Sequence, residues 1–452
     1  MSHALLRQPA KLRRLEFGPG QGGALLATPA GEPHDELVLR HCSHEVGMLA
    51  LFDAADLVLT AQGAAVLVVQ DRFVLQRAST DQPGHHALDA FLALAQRMGW
   101  VLADRVELGR DGPCGEYSLR FERAAPPSDR LHPVGATESG AMRALFAHVF
   151  GHEMTPAHWH WKYGEGRGFA AGLSRDGELV AHYGGCTRSV LWAGRPVTAC
   201  QVCDVMVAPA ANSALVRKGT MHQVTTAFLE SEIGWGQRHV LAFGFPSDRH
   251  HALARLLGLY DGVDSMLRAS WPATPPAQSP GLSSRALQHA ELAPGSRHAA
   301  AVQRLWQQMA AAFSGQLIGV RDAAWLRHRY LAHPSLNYDV LLLRRRWTRR
   351  PVGVLVLRTH ERHLDVLDLV APPSAWPALI AIARQRAAAA GLERVDLWIT
   401  QSQKHQVAGI DAPALTLIPL NITVPSIVHT PGPAVDELRD RWLLLAGDAD
   451  FT

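Results

Sequence analysis

The sequence predicts an α/β protein of the α+β type, with a small N-terminal α/β domain followed by two similar mixed-sheet units. Two Pro-rich stretches, at 122–133 and 271–284, have the composition of linkers between periodic segments. Strand-type and helix-type patterns alternate on both sides of each linker, which is typical of layered α/β structure. We therefore place three segments at 1–125, 130–272 and 285–452.

Length and composition limit the function classes. The chain has 452 residues, of which 47% are hydrophobic and 19% charged, so it can bury several cores and is not a disordered type. A net charge of +3 argues against a nucleic-acid-coating protein. The N-terminus lacks the apolar region of a signal peptide, no apolar run approaches the ~20 residues of a membrane span, and five cysteines do not suggest a disulfide framework. We predict a cytoplasmic protein with no nucleic-acid or membrane partner.

The first segment reads as a strand at 64–71, a helix at 87–100 and a strand at 115–123. The first strand is a continuous apolar run, the helix has apolar residues at helical spacing and ends near a glycine, and the last strand alternates. This order predicts an α/β layer arrangement.

The second segment reads as a helix at 137–150, three strands joined by hairpin-type turns, and a helix at about 219–234. A strand at 239–246 follows, and then another helix. The order of these elements predicts a mixed sheet.

The third segment repeats the plan of the second. The stretch 366–373 carries Asp at its third position and Pro at its eighth, as does the stretch 202–209. A strand followed by a polar, His-bearing helix start occurs at 238–253 and again at 393–407. We interpret the two segments as diverged copies of one fold, that is, as a repeat of whole domains.

The two copies differ just after this Asp-bearing strand. The second segment places Arg217, Lys218 and Gly219 directly before a helix, whereas the third goes straight from its strand into a helix. A helix N-terminus offers unpaired N–H groups and a positive dipole end, and nearby basic side chains add charge. We therefore predict a phosphate site in the second segment only; a solvated turn is the alternative.

Several stretches of the second segment occur together in a known family. They are ALFAHVFGHEMTPAHWHWKYGEGRG, ELVAHYGG, QVCDVMVAP, VRKG and FGFPSDRHHALARLLGLY. Over about residues 134–270, the chain resembles the GNAT acyltransferase superfamily, in particular a branch associated with polysaccharide or antibiotic-type biosynthesis. The usual pyrophosphate loop of the superfamily, Q/R-x-x-G-x-G/A, is replaced here by NSALVRKGTM, which has one glycine.

The resemblance implies acetyl-CoA or another acyl-CoA as donor. The strand at 204–207 would contact the pantetheine arm, and the turn after it would bind the pyrophosphate. The helix that follows the Gly-Phe-Pro stretch at 244–246 would lie beside the thioester. The residues implied for donor binding are Met206, Val207, Arg217, Lys218, Gly219, Thr220 and Ser247.

Amine acylation requires a base for the acceptor and an acid for the leaving thiolate. We predict Tyr260 as the acid, because the superfamily often has a tyrosine in this region. Asp204, a carboxylate in an apolar strand, and Glu153 are the candidate bases. The alternatives are a core tyrosine, a structural carboxylate and a helix-end residue.

The acceptor site is predicted at the aromatic, basic patch 158–163. Trp159, Trp161 and Tyr163 could stack on a sugar or an apolar chain, with His182 nearby, and core packing is the alternative. No metal is predicted, because Cys200 and Cys203 lie three apart on a strand and point to opposite faces.

The first segment is similar to the C-terminal half of class I methyltransferases over perhaps 70 residues. Gly18, Gly20 and Gly22 follow a strand, but no helix is predicted after them because the chain reaches Pro29. We predict a reduced module without activity of its own, or an unrelated α/β domain.

These observations predict an acyl-CoA-dependent N-acyltransferase of the GNAT type. Its acceptor would be an amine or hydroxyl of a small molecule, a sugar or a biosynthetic intermediate, and the third segment would be a non-catalytic copy. Three alternatives stay open: a ligand- or protein-binding protein without catalysis, a transferase whose donor is an acyl carrier protein, and an S-adenosylmethionine enzyme acting through the first segment.

Overall fold

The computed structural model describes residues 12–28, 32–42, 46–71, 85–86, 88–111, 114–124, 129–211, 219–235, 237–274, 281–425 and 432–450. Within these stretches the chain forms three sheets with helices packed against them, so the predicted mixed α/β fold is confirmed. None of the helices described there combines the length and apolar character needed to cross a membrane.

The N-terminal sheet has the strand order β1-β2-β3-β6-β5, with β4 beside β3. Its elements are β1 (Arg14–Phe17), α1 (Gly22–Leu26), β2 (His34–Arg40), α2 (Met48–Val58), β3 (Leu59–Asp71), β4 (His85–His86), α3 (Leu88–Arg97), β5 (Trp100–Asp111) and β6 (Cys114–Arg123). Phe52 of α2 packs on Trp100 and Phe121, with ring centroids 5.6 and 5.4 Å away. The prediction that no helix follows Gly22 is wrong, because the five-residue α1 begins there.

The middle sheet begins with β7 and has the order β7-β8-β9-β10-β11. Its elements are β7 (Asp129–Pro133), α4 (Ser139–Phe150), α5 (Pro156–Tyr163), β8 (Gly168–Arg175), β9 (Glu178–Trp192), β10 (Arg195–Val207), α6 (Thr220–Glu232), β11 (Leu241–Phe243) and α7 (Asp248–Leu256). The predicted helices at 137–150 and 219–234 correspond to α4 and α6. The N-terminal unit packs on α6, where Arg97 donates hydrogen bonds to Glu230 and Thr226 over 2.9 and 2.8 Å.

The third sheet has the order β13-β15-β16-β17-β18-β12-β19. The remaining elements are β12 (Tyr260–Pro272), β13 (Leu282–Ala286), α8 (Arg297–Ala312), β14 (Leu317–Gly319), α9 (Ala323–Leu326), β15 (Asp339–Arg345), β16 (Pro351–Thr359), β17 (His363–Val370), α10 (Trp376–Ala389), β18 (Arg394–Thr400), α11 (His405–Ala408), β19 (Ala414–Pro425), α12 (Val435–Leu438) and β20 (Trp442–Leu443). Its core is dominated by Leu and Val of β15–β18, which are buried in continuous runs because both faces of these strands are covered.

The two larger sheets exchange strands. β12 follows the middle segment in sequence but pairs with β18 and β19 of the third sheet. Conversely, β14 pairs with β9 of the middle sheet, and β20 pairs with β14. The division at 130–272 and 285–452 stays a prediction, and the exchange places both segments around one shared interface.

Candidate active site

The site begins where two parallel strands separate. β10 and β11 pair at Ala199–Leu241, Cys200–Ala242 and Gln201–Phe243. Beyond these pairs β10 continues to Val207, whereas Gly244 pairs with Thr423 of β19. The strands therefore open into a V, and one arm of the V is bound to the third sheet.

A cavity of about 830 Å³ fills this V. One wall comes from β10 and the other from the chain after β11, and the third segment closes the far side. The lining residues used below are Glu153, His158, Lys162, Val205, Asp204, Met221, Ser247, Tyr260, His333, Leu336, Arg358 and Asp450. Its volume is that of a small-molecule site.

Asp204 lies on a bulge of β10. The pairing of β10 with β9 shifts register between Cys203 and Met206, and Asp204 has a φ of 49°, which is uncommon for a residue other than glycine. The bulge turns its carboxylate toward α5, where Lys162 Nζ donates to Oδ1 over 2.8 Å and the Tyr163 hydroxyl donates to Oδ2 over 2.5 Å.

These contacts favour an ion-pair role for Asp204 over proton acceptance. Burial by itself would raise the pKa of Asp204, but the Lys162 ammonium and the two hydrogen bonds lower this pKa overall. Burial likewise disfavours the charged Lys162, yet Asp204 and Asp450 keep the pKa of Lys162 well above its usual value. Lys162 is thus a buried cation held between two carboxylates, and Asp450 lies 3.1 Å from it.

Tyr260 begins β12 and borders the cavity. Its hydroxyl forms a hydrogen bond with that of Tyr183, and burial raises the pKa of Tyr260. A phenol in this environment stays protonated at neutral pH, so it can donate a proton.

Two further groups could accept a proton. Glu153 is exposed in the loop between α4 and α5 and lines the cavity. His158 lines the same wall from α5, and burial lowers the pKa of His158, so its imidazole is neutral at pH 7. The sequence argument missed His158, although it lies inside the aromatic stretch 158–163.

Three of the predicted donor-binding residues lie at the N-termini of two helices beside the cavity. Gly219 is the N-cap of α6, Thr220 is its first residue and donates to the Ala211 carbonyl, and Met221 lines the cavity. Ser247 is the N-cap of α7 and also lines the cavity. Two helix N-termini therefore point to one site.

The structure adds less about the other four predicted donor residues. Met206 and Val207 pair through their backbone with His182 and Ala181 of β9. Arg217 and Lys218 lie outside the described residues.

The aromatic residues of α5 are used for packing. The Trp159 ring stacks on Tyr163 at 5.9 Å, and Tyr163 and His182 both bond to Asp204. Trp161 faces the third segment, where its Nε1 donates to the His328 carbonyl over 2.8 Å and its ring lies 4.4 Å from His333. The contacts of these residues favour the core-packing alternative over a stacking surface.

Trp161 belongs to a second cavity of about 280 Å³ on the other side of Lys162. Lys162, Cys203 and Asp450 line both cavities. The Cys203 sulfur lies 3.6 Å from that of Cys186, while Cys200 packs into a different core on the opposite face of β10, as its spacing from Cys203 predicts.

The third segment supplies His333, Leu336 and Arg358 to the large cavity. The sequence argument missed them because no local pattern reports a wall formed by a distant segment. Lys162 was also missed. The lysine of HWHWKY and the single carboxylate in the apolar strand that carries Asp204 were the sequence features that could have indicated this ion pair.

Residues 130–252 match the family model of the acetyltransferase (GNAT) domain. Among solved structures, the chain is similar to a conserved protein from Enterococcus faecalis described as a probable N-acyltransferase, with a TM-score of 0.51 and 12% identity, over 65% of this chain and 71% of that one. It is also similar to a GCN5-related N-acetyltransferase from Kribbella flavida, with a TM-score of 0.48 and 17% identity over 66% and 71% of the two chains. For the N-myristoyltransferase of Saccharomyces cerevisiae, the values are 0.43 and 10% over 68% and 85%.

No curated protein matches the chain. At 12% identity the Enterococcus faecalis structure supports the fold alone. The resemblance of the first segment to methyltransferases stays a prediction. Residues 130–252 therefore form a domain that matches the acetyltransferase (GNAT) model, and this match supports an acyltransferase.

Proposed function

We propose that the protein transfers an acyl group from an acyl-CoA to an amine or hydroxyl of a small molecule bound in the large cavity. The observation that carries this proposal is the V between β10 and β11, because a cavity of about 830 Å³ lies between these two strands of the GNAT domain. This volume suits a pantetheine arm together with a small acceptor. A sugar or a biosynthetic intermediate would fit the same description.

The donor would lie along β10 with its phosphates at the start of α6. Past Gln201 the edge of β10 that faces β11 is no longer paired with it, so its backbone groups are available to the amides of a pantetheine arm. Gly219 and Thr220 open α6 at the same end, and Arg217 and Lys218 precede them in sequence.

Direct attack on the thioester is the mechanism that these residues support. The acceptor nitrogen or oxygen forms a bond to the acyl carbon, and the carbon–sulfur bond breaks. Glu153 or His158 accepts the proton of the acceptor, and Tyr260 gives a proton to the thiolate. Asp204 holds Lys162 at the cavity wall and takes no part in proton transfer.

The experiment measures acetyl-CoA binding by calorimetry and thiol release in the presence of candidate amines. Val205→Trp places a large ring in the V, and Val106→Trp makes the same change at an exposed site on β5 of the N-terminal unit. We expect micromolar binding by the wild type and by Val106→Trp, and at least about a hundredfold weaker binding by Val205→Trp, because the ring fills the donor position.

Unchanged binding by a folded Val205→Trp protein would refute the proposed site. If the wild type bound no acyl-CoA, the proposal that acyl-CoA is the donor would be refuted. The same titration with an acylated carrier protein would then separate the carrier-protein alternative from a fold that only binds ligands.

A further inference from the structure

A tight hairpin on the third sheet brings two histidines and an aspartate together. β16 ends at Thr359 and β17 begins at His363, and the backbone N–H of His360 donates to the His363 carbonyl over 2.9 Å. His360 and His363 therefore face each other at the end of the hairpin. Asp365 lies two residues after His363, so its side chain is on the same face of the strand.

The ligand atoms of the three side chains lie close together. His360 Nε2 lies 2.9 Å from Asp365 Oδ2, and His363 Nε2 lies 3.4 Å from Asp365 Oδ1. The two imidazole rings are stacked at 4.5 Å with only 5° between their planes. All three ligand atoms lie within 4.8 Å of one another. A tetrahedral zinc site with bonds of about 2.0–2.1 Å places its ligand atoms roughly 3.4 Å apart, which is close to these separations.

The charges around Asp365 distinguish it from the neighbouring acids. Glu393 is bound by Arg362 over 2.7 Å, and Asp396 is bound by Arg394 over 2.9 Å. The ion pairs of Asp365 among the described residues are with two histidines, which carry charge only when protonated. A divalent cation would supply this half-buried carboxylate with a permanent compensating charge.

Arg358 is the nearest competing cation by strand register, since it lies opposite Asp365. It also lines the large cavity and so lies at the junction between the cavity wall and the hairpin. A cation bound at the hairpin would hold Asp365 away from Arg358 and would fix the end of the strand that carries Arg358.

We infer that His360, His363 and Asp365 bind one divalent transition-metal ion of the zinc type, with water completing the coordination. Two imidazoles and one carboxylate form a ligand set typical of such ions. The site lies outside the proposed acyl-transfer chemistry and does not depend on it.

The test uses the untagged full chain after treatment with a chelator. Zn²⁺ is titrated calorimetrically, and bound Co²⁺ is followed by its visible absorption. Asp365→Asn and His363→Ala remove ligands, and His405→Ala removes an exposed histidine of α11 as a matched control. We expect one equivalent with an affinity on the order of micromolar, weakened at least about tenfold in both ligand variants and unchanged in the control.

Thermal unfolding separates a lost ligand from a lost fold. Zn²⁺ should raise the Tm of the wild type and of His405→Ala, and it should leave the Tm of Asp365→Asn unchanged. Zinc binding that persists in both ligand variants, or a wild type that binds no Zn²⁺ or Co²⁺, would overturn the inference.

Discussion

The middle and third sheets separate their strands in the same way, but within the described residues the two gaps are occupied differently. β10 and β11 part after Gln201–Phe243, and the parallel pair β17 and β18 parts after Val366–Leu397. In the middle sheet the gap becomes the large cavity. In the third sheet the C-terminal part of the chain lies in the gap.

In the third sheet, the C-terminal segment fills the gap largely by hydrogen bonds to the backbone. Ile399 bridges to Leu445, Thr400 N donates to the Leu444 carbonyl, and the Thr400 hydroxyl donates to the Trp442 carbonyl. Gly447 fits against the Tyr330 hydroxyl, where a Cβ would overlap it. Strand separation therefore creates a site only where no other segment of the chain satisfies the freed strand edges.

The same comparison explains the aspartate that both copies share. Asp204 binds a cation and a tyrosine hydroxyl, and so does Asp368, whose partners are Arg321 at 2.7 Å and Tyr330 at 2.9 Å. This acid, cation and tyrosine set is therefore a structural feature of both copies. The adjoining cavity is what distinguishes Asp204.

The largest effect is expected from Asp368→Asn. Arg321 is fully buried and holds Asp368 and Asp448, so the substitution leaves a buried guanidinium with half of its compensating charge. Breaking such a pair costs about 3–5 kcal/mol of unfolding free energy. Each cation keeps one carboxylate, but Asp204→Asn should cost less because Lys162 borders the cavity, whereas Arg321 is fully buried. Chemical denaturation measures both, and an equal or reversed order would contradict the comparison.

The helices that follow the two strand pairs differ in the charge near their C-termini, and this difference predicts a pH effect. α10 carries Arg384 and Arg386 there, whereas α6 carries Glu230 and Glu232. Burial raises the pKa of Glu232 from its usual 4.5 to about 7, although Arg238 opposes this. Between these two pH values the unfolded chain loses the proton and the folded chain keeps it, so stability falls as pH rises.

We expect the unfolding free energy of the wild type to fall by up to about 3 kcal/mol more than that of Glu232→Gln between pH 4.5 and 7.5. Denaturant titrations at several pH values measure this difference. Glu178→Gln, at an exposed position, is the control and should follow the wild type. Parallel curves for Glu232→Gln and the wild type would show that Glu232 is ionised in the folded state.

Sequence patterns predicted the helices and strands better than they predicted which strands lie side by side in a sheet. The helices α4 and α6 were predicted because apolar spacing and end residues are local signals. The tandem copies were recognised from Asp and Pro at matching positions. The exchange of β12 and β14 between sheets was missed, since alternation reports which face of a strand is buried and not which strand lies beside it.

The site shows the same limit. Tyr260, Glu153 and Asp204 were selected from the sequence and the structure brings all three to one cavity. The ion pair between Lys162 and Asp204 and the wall formed by His333 and Arg358 depend on how the two copies pack together. No periodicity within either copy carries that information.

Removing the Tyr260 hydroxyl tests which copy carries the chemistry. Tyr260→Phe should lower kcat/KM about a hundredfold while acetyl-CoA binding stays unchanged, because the thiolate loses its proton donor. Tyr330→Phe removes a hydroxyl that is equally buried in the third segment and should leave kcat/KM unchanged. Steady-state kinetics with thiol detection measures kcat/KM for both variants. An equal loss in both variants would indicate a general structural effect.

The smallest effect is expected from the basic turn that only the middle copy carries. Arg217→Ala/Lys218→Ala should weaken acetyl-CoA binding about tenfold, and the loss should shrink at high salt because salt screens charge–charge attraction. Binding should persist, since the N–H groups at the start of α6 remain. Arg349→Ala/Arg350→Ala removes two exposed charges from a turn in the third segment and is the matched control. Calorimetry at two salt concentrations measures both variants. Equal weakening would reflect net charge alone, whereas unchanged binding in the first variant would place the phosphates elsewhere, and the basic turn would then no longer explain why only the middle copy binds the donor.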